Sequence, residues 1–330
     1  MAAPSPLAAR LPPTLLAGGE RGTLLSEAGP ALLPYFTTRD ACALRLVCQE
    51  LRAAVREHPW EDRRTVIKGS IAAWRACFSR ARCANLRQRR APVVDADFVH
   101  FEGLRELNMQ DFLNGSITDA AFAHLRGIRK LFMSGCGGLE GVTDAALAHL
   151  RGIHTLNMSD CRQAGITDAA FAHLRGIHTL NMSGCRQPGI TDAAFAHLAG
   201  IHTLYMSECS QAGVTDAAFA HLRGIHKLDM SFCYQPGITD AAFAHLAGIH
   251  TLNMTCCSQA GITDSAFAHL RGIHTLNMRS CCQAGITGAA FAHLRGIHRL
   301  YMVGCSEACV AGARALGLFV VDYDFDDGIR

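Results

Sequence analysis

The chain has 330 residues, 49% of them hydrophobic, and a formal net charge of +3 at pH 7. This length and composition are sufficient for a sizeable folded core. The near-neutral charge argues against an overall attraction to nucleic acid or to an acidic membrane surface, and no apolar run approaches the length of a transmembrane helix.

The N-terminal segment, residues 1–23, is predicted to be disordered. Prolines interrupt its short Leu- and Ala-rich run, and it has neither the basic start nor the sustained apolar stretch of a secretory signal peptide. We therefore expect a cytoplasmic or nuclear location. In such a reducing environment the cysteines are expected to remain free thiols.

Residues 24–64 are predicted to form a separate helical module, because apolar residues recur there at helical spacing until His58-Pro59-Trp60 ends the pattern. Residues 65–103 follow as a linker and a degenerate capping repeat, since 93–101 aligns position by position with 117–125. The arginines of this linker are better explained as a solvated face than as a nucleic-acid site or a nuclear address.

Residues 104–317 consist of repeats with a period of 24 residues. The frame is marked by one aliphatic residue, found at Ile177, Ile201, Ile225, Ile249, Ile273 and Ile297. A fixed period in this range is typical of a solenoid, in which each unit buries its apolar side against its neighbours.

Each repeat is predicted to contain one strand and one short helix. The alternation around Leu156 and Met158 indicates a strand at 155–158 with one buried face. Thr167 is a natural N-cap for a helix over 169–175, Asp168 places a negative charge at the helix N-terminus, and Gly176 is suited to end it.

Stacking of the repeats places identical residues in columns. The Met and Phe columns are interpreted as core, and the Cys column as small buried thiols that donate to loop carbonyls. Neighbouring cysteines have parallel side chains, which is unfavourable for disulfides, and they lack the spacing of zinc ligands. The two His columns, represented by His173 and His178, are interpreted as surface residues, so that no metal site, cofactor or catalytic residue is predicted.

The repeat has the pattern Ile-x-x-Leu-x-Met-x-x-Cys-x-x-x-Gly-Ile-Thr-Asp-x-x-Phe-x-x-Leu. This pattern resembles the cysteine-containing subclass of leucine-rich repeats, which is frequent in F-box proteins. The resemblance implies an α/β solenoid: a right-handed horseshoe with a parallel sheet on the concave face and short helices on the convex face. Residues 318–330 are predicted to close it with a capping strand at 318–323 and an acidic tail.

The N-terminal module resembles the later part of an F-box. The resemblance is carried by Arg39-Asp40, by the run Leu44-Arg45-Leu46-Val47-Cys48 and by Trp60, whereas Leu25-Ser26 and Leu51 depart from the family's pattern. It implies a substrate-recognition subunit of a cullin–RING ubiquitin ligase that binds a Skp-type adaptor. The adaptor-binding residues would be Leu32, Leu33, Phe36, Leu44, Leu46 and Val47.

Two other functions remain open: a plain interaction scaffold whose N-terminal helices only cap the array, and a metal- or redox-active protein that uses the His and Cys columns. We expect a protein that is not an enzyme and that is a monomer outside its complex. We expect its protein partner to bind on the concave face. Strand positions there vary between repeats, and aromatic and arginine residues are the usual interface anchors. The candidate partner-binding residues are Lys130, Phe132, Tyr205, Lys227, Asp229, Arg279, Arg299 and Tyr301.

Overall fold

The computed structural model describes residues 32–46, 49–112, 115–136, 139 and 141–321. The segment 1–23, Val47 and the acidic tail after residue 321 lie outside the described residues. The described chain begins with a small helical module and continues as a long array of short strands and helices.

The helical module packs around its own small core. Its helices are α1 (Thr38–Leu44), α2 (Gln49–Glu57) and α3 (Ile71–Cys77), preceded by a 3-10 turn at Leu33–Tyr35. Trp60 is buried and its Nε1 donates to the Val55 carbonyl at 2.7 Å. Leu33 and Phe78 belong to the same buried cluster.

The module is joined directly to the first strand of the array. The Arg82 N–H donates to the Trp60 carbonyl at 2.8 Å, and Arg63 pairs with Glu106 at 2.8 Å. The array therefore begins before residue 104.

The main sheet has eleven parallel strands, and strands that follow one another in the array are neighbours in the sheet. Equivalent positions of successive repeats pair directly, so that Leu156 lies beside Leu180 and Asn157 beside Asn181. A separate two-stranded sheet pairs β2 with β4. The strands are β1 (Cys83–Asn85), β2 (Val93–Val94), β3 (Glu106–Asn108), β4 (Gly115–Ser116), β5 (Lys130–Phe132), β6 (Thr155–Asn157), β7 (Thr179–Asn181), β8 (Thr203–Tyr205), β9 (Lys227–Asp229), β10 (Thr251–Asn253), β11 (Thr275–Asn277), β12 (Arg299–Tyr301) and β13 (Val320–Val321).

Each strand is short because the chain turns soon after its inward residue. In β6 Leu156 is buried, whereas Thr155 and Asn157 are half-buried on the other face. The Met158 N–H still donates to the Asn181 carbonyl at 2.8 Å, but Asp160 then adopts φ 57° and turns the chain. The predicted strand at 155–158 is thus found one residue shorter.

The helices opposite the sheet are single α-helical turns, several of which continue as a 3-10 turn. In the repeat described above, the Thr167 side-chain oxygen accepts from the Ala169 N–H, and Gly176, with φ +80°, follows the helical segment. The predicted helix at 169–175 is divided into Asp168–Phe171 and a 3-10 turn at Ala172–Leu174. The helices are α4 (Asp119–Phe122), α5 (Asp144–Ala148), α6 (Asp168–Phe171), α7 (Asp192–Phe195), α8 (Asp216–Phe219), α9 (Asp240–Phe243), α10 (Asp264–Ala268) and α11 (Glu307–Ala315), and further 3-10 segments cover Asp95–Phe101, Ala123–Leu125, Ala220–Leu222, Ala244–Leu246 and Gly288–Leu294.

The Met and Phe columns form the core of the array, as predicted. Met158, Met182, Phe171 and Phe195 are at most 1% exposed, and Leu147 fills the Phe position in its repeat. The core extends from the end of the helical module to the last strand. Helix α11 and strand β13 close the array at its C-terminal end, where β13 pairs with β12.

A column of aspartates ties each repeat to the next. The Asp168 carboxylate accepts from the Thr191 N–H at 2.7 Å and from the Thr191 hydroxyl at 2.7 Å. The same pair of bonds recurs from Asp95 to Thr118 and, for the last time, from Asp264 to Thr287. Asp168 therefore has two roles, since it lies at a helix N-terminus and also anchors the N-cap of the following helix.

Candidate partner-binding surface

Three of the predicted partner-binding residues form one cluster on strands β8 and β9, on the face of the sheet that points away from the buried core. The Lys227 Nζ lies 5.0 Å from the centroid of the Tyr205 ring, and Tyr205 pairs in register with Asp229. Asp229 is only 8% exposed, and its carboxylate accepts from the Ser231 hydroxyl at 2.7 Å and from the Asn253 amide at 3.1 Å. These contacts position the Asp229 carboxylate beside Tyr205.

A second cluster lies at the C-terminal end of the sheet. The Arg279 guanidinium carbon lies 5.1 Å from the centroid of the Tyr301 ring. Tyr301 was expected to face solvent but is only 6% exposed, whereas Arg299 is exposed. A cavity of about 580 Å³ beside them is lined partly by Arg299, Tyr301 and Phe319, and Phe319 is 72% exposed.

Lys130 and Phe132 lie apart from both clusters. They belong to β5, and β6 and β7 separate them from β8, where Tyr205 is found. Both side chains are half-buried. The structure therefore brings six of the eight predicted residues to the C-terminal half of the sheet and leaves two near its N-terminal end.

The predicted adaptor-binding residues differ widely in exposure. Leu33 is 2% exposed because it packs in the core of the module, and Leu32 is also buried. Phe36 and Leu44 are half-buried, whereas Leu46 is 81% exposed. Leu32 and Leu33 therefore present little side-chain surface to a partner. Sequence reasoning missed Tyr35, which is 65% exposed in this module.

The cysteines of the repeats are buried donors. The Cys185 thiol donates to the Met158 carbonyl at 3.2 Å, and the equivalent bond occurs in each repeat from Cys136 to Cys305. Burial raises the pKa of Cys185 to about 12 and that of Cys136 to about 11. These thiols are therefore protonated and poor as nucleophiles or metal ligands at neutral pH.

The histidines fall into two surface columns, as their sequence registers predicted. One column lies on the helical side, where His197 Nδ1 is 3.3 Å from Arg175 of the preceding repeat. The other lies where the strands begin and includes His178. Within the described ranges, no group of three or more His, Cys, Asp or Glu residues is arranged to hold a metal ion.

The sequence was compared with known proteins. No family model matches it, and no curated protein matches it. Among the residues that the structure describes, no helix is both long and apolar enough to cross a membrane.

Solved structures show what the fold is similar to. Toll in its complex with Spatzle from Drosophila matches 78% of this chain with a TM-score of 0.56 and 14% identity. A TLR13–ssRNA13 complex matches 70% with a TM-score of 0.53 and 16% identity. The chain spans only 39% and 37% of those two proteins.

An internalin from Listeria monocytogenes matches 92% of this chain, and 96% of its own length is covered, with a TM-score of 0.51 and 14% identity. The fold is a leucine-rich-repeat solenoid. Its parallel sheet, its short opposing helices and these neighbours confirm the predicted fold class.

Proposed function

We propose that this protein is a non-enzymatic interaction scaffold that binds a protein partner on the exposed face of its sheet, through the cluster of Tyr205, Lys227 and Asp229. The observation that supports this proposal is the contact between Lys227 and the Tyr205 ring, in a part of the sheet where most other repeats have Thr and Asn.

The cluster has the chemistry of an interface anchor. A half-buried tyrosine offers a large apolar surface with a polar tip, and it loses little conformational entropy on binding when a neighbouring cation already orients it. Arg279 and Arg299 extend the cluster toward the C-terminal end and add donors for carboxylates.

Substitution by the consensus residues of the repeat tests this proposal. Tyr205→Asn with Lys227→Thr converts both positions to residues found in β6 and β7, so the fold should be unaffected. We expect partners captured by the wild-type protein in a quantitative pull-down to lose about 1–3 kcal/mol of affinity in this variant. The control is His173→Ala on the helical side, which should retain binding. Equal capture by both variants would refute the concave-face assignment.

The second candidate function is adaptor binding by residues 24–64, as the F-box resemblance implies. It is supported by the large exposed side chains of Leu46 and Tyr35, which offer apolar surface to a partner. In that case the protein is a substrate-recognition subunit of a cullin–RING ligase and acts in the cytoplasm or nucleus. The same proposal assigns its repeats to the cysteine-containing subclass of leucine-rich repeats.

Copurification with a Skp-type adaptor tests this second candidate. Leu46→Asp should abolish the complex while the array stays folded, whereas Ala53→Asp, on the exposed side of α2, should not. If the wild-type protein captures no adaptor under any condition, the helical module is a cap and the scaffold function alone remains.

A further inference from the structure

Seven histidines form a continuous stack along the edge of the array where the strands begin. Successive ring centroids are 4.4–4.6 Å apart, and five of the six pairs are within 13° of parallel. Six of the seven histidines are exposed, and His250 is half-buried. The stack, here called the imidazole ladder, consists of His154, His178, His202, His226, His250, His274 and His298.

Each ladder histidine keeps at least one ring nitrogen without a hydrogen-bond partner among the described residues. In most repeats Nδ1 lies 3.0–3.2 Å from the hydroxyl of the next residue, as His178 does with Thr179. No hydrogen bond to Nε2 is found in the part of the chain that the structure describes. A row of unengaged nitrogens with a uniform spacing is therefore available to a ligand.

Arginines extend the ladder toward the N-terminus. Backbone hydrogen bonds link each residue of this column to the next, as the His178 N–H donates to the His154 carbonyl. The same bonds continue the column before His154, where its residues are Arg82, Arg105 and Arg129. The column is therefore basic in every repeat from β1 to β12.

A second row of arginines lies three residues before the ladder, where each helical segment ends. The connecting segments from residues 126–131 to residues 295–300 contain no Asp or Glu, whereas the equivalent segment 102–107 contains Glu102 and Glu106. The arginines of this row are exposed, and four of them lie 3.3–3.5 Å from Nδ1 of the helical-side histidine in the next repeat, as Arg175 does from His197. They are Arg126, Arg151, Arg175, Arg223, Arg271 and Arg295.

The small net charge of the chain does not show that acidic and basic residues lie in different parts of the array. Half of the acidic residues of the repeats lie in the aspartate column at the helix N-termini, and each of those carboxylates is bonded to the next repeat, as Asp168 is to Thr191. Placing acids at one end of a helix and bases at the other is favourable for each helix dipole. Copying that arrangement 24 residues at a time produces a basic edge.

We infer that this basic edge, made of the imidazole ladder and the two rows of arginine, binds the phosphate backbone of a single-stranded nucleic acid, with an affinity that rises as the pH falls. Guanidinium groups and protonated imidazoles are strong donors to phosphate oxygens. A row of identical donors tolerates any register, which suits a polymer that carries the same charge on every unit.

The composition of the edge favours nucleic acid over an acidic protein. A folded protein is normally recognised through varied, well-packed anchors that include aromatic and aliphatic groups. The connecting segments instead repeat the sequence Arg-Gly-Ile-His. Its isoleucine is buried, as Ile177 is, and therefore cannot serve as an apolar anchor for a partner. A flexible single strand can follow a curved edge, whereas duplex DNA resists bending over such a short length.

The pH dependence follows from the surroundings of the rings. Loss of hydration and then the neighbouring imidazoles lower the pKa of His178 and of His226, so these rings are mainly neutral at pH 7. Loss of hydration, then the neighbouring His250 and His298, and last Arg299 lower the pKa of His274.

Acidic groups lie only near the N-terminal end of the described edge. They are Glu61, Glu102 and Glu106, and they pair with Arg82, His124 and Arg63. The rest of the ladder therefore has no carboxylate to neutralise it. A bound phosphate would favour the protonated rings, and binding would take up protons.

Fluorescence anisotropy with a labelled oligothymidylate of about 12 nucleotides tests the inference on the full chain. We expect the dissociation constant to be at least about tenfold lower at pH 5.5 than at pH 7.5, and to rise steeply with salt at both pH values. No binding at pH 5.5 and low salt, or the same affinity at both pH values, would overturn the proposal.

The array itself supplies the matched variants for the ladder. Arg129 occupies the ladder position in its own repeat, so arginine is accepted there. Replacing four ladder histidines by glutamine should remove most of the pH dependence, and replacing them by arginine should give tight binding at pH 7.5. The four positions are His178, His202, His226 and His250.

Alanine occurs naturally in the arginine row, at Ala199 and Ala247. A variant with alanine at Arg151, Arg175, Arg223 and Arg271 should therefore fold, weaken binding by about tenfold or more and reduce the salt slope by about two to three units. A control with alanine at Arg39, Arg52, Arg162 and Arg186, which are all exposed, loses the same charge away from this edge.

An equal loss in the control would mean that binding follows net charge alone, which would refute the proposed edge. Tighter binding of polyglutamate than of the oligonucleotide would refute the assignment to nucleic acid. Circular dichroism of every variant at both pH values checks that the fold is retained. Because Tyr205 and Lys227 are unchanged, these results do not depend on the proposed protein-binding function.

Discussion

Gly312 of the C-terminal helix packs so closely against Gly288 of the last repeat that a side chain at Gly312 would clash with the Gly288 backbone. A Cβ atom at Gly312 would lie 2.5 Å from the α-carbon of Gly288, and one at Gly288 would lie 3.2 Å from that of Gly312. Gly288 stands where the other repeats have the aspartate that binds the next threonine. The column ends here because a helix, and not another repeat, follows.

Gly312→Ala should destabilise the C-terminal cap. The added methyl group has only backbone to meet, so helix α11 must shift, at a cost of about 1–3 kcal/mol. Urea unfolding followed by circular dichroism measures the change in the free energy of unfolding. The control is Ala311→Ser on the exposed side of the same helix, which should change stability by less than about 0.5 kcal/mol. Equal stability of the alanine variant and the wild type would refute the tight contact.

Asp192→Asn should destabilise the middle of the array. The two oxygens of Asp192 accept from the Thr215 N–H at 2.7 Å and from its hydroxyl at 2.6 Å, and an amide can keep only one of these acceptors. The expected loss is about 1–3 kcal/mol, because a charge-assisted hydrogen bond is removed. Glu208→Gln, which removes only an exposed ion pair with Arg186, is the control and should cost less than about 1 kcal/mol.

The thiols should divide into two reactivity classes. Iodoacetamide at pH 8 should modify the exposed Cys282 rapidly and leave Cys185 unmodified in the native protein, because burial raises the pKa of Cys185 to about 12. Peptide mapping by mass spectrometry gives the rate at each position. Labelling of Cys185 at the rate of Cys282, or an intact mass that reveals disulfides between repeats, would contradict a purely structural Cys column.

Deletion of one whole repeat should be tolerated, whereas deletion of half a repeat should not. Removing residues 177–200 joins two equivalent positions, so that each remaining strand and each Asp–Thr pair finds the same partner as before. Removing 177–188 leaves a helix without its strand and should cause local unfolding. Hydrogen exchange measured by mass spectrometry distinguishes the two results, and loss of protection throughout the first variant would contradict the prediction.

The sequence was sufficient for the fold because the repeat carries the same signals many times. The alternation around Leu156, the Thr167 cap and the glycine at 176 each predicted a local feature that the structure confirms. The boundaries were less accurate. The turn after the strand is made by Asp160 with a positive φ, and the signal for it was glycine at the equivalent positions Gly135, Gly184 and Gly304.

Contacts between repeats could not be predicted from one repeat alone. Gln187 is polar, yet it is only 3% exposed, because it donates to the Cys161 carbonyl of the preceding repeat at 2.9 Å and needs no solvent partner for its amide N–H. The stacking of the histidines was missed for the same reason, because it depends on the spacing of strands. Tyr301 was expected on the surface, but it is buried at the C-terminal end of the sheet, beside Arg279.

The bond from each aspartate to the next threonine also has an evolutionary consequence. Every interior unit has an aspartate carboxylate that accepts from the next unit, and a threonine whose N–H and hydroxyl donate to the unit before it. A duplicated gene segment of 24 codons therefore fits without any compensating change. Only the ends need their own solutions, which are the helical module before Asp95 and the Gly288–Gly312 contact after the last unit. Related genes could therefore differ in the number of units while sharing both ends, and the basic edge would lengthen with each unit added.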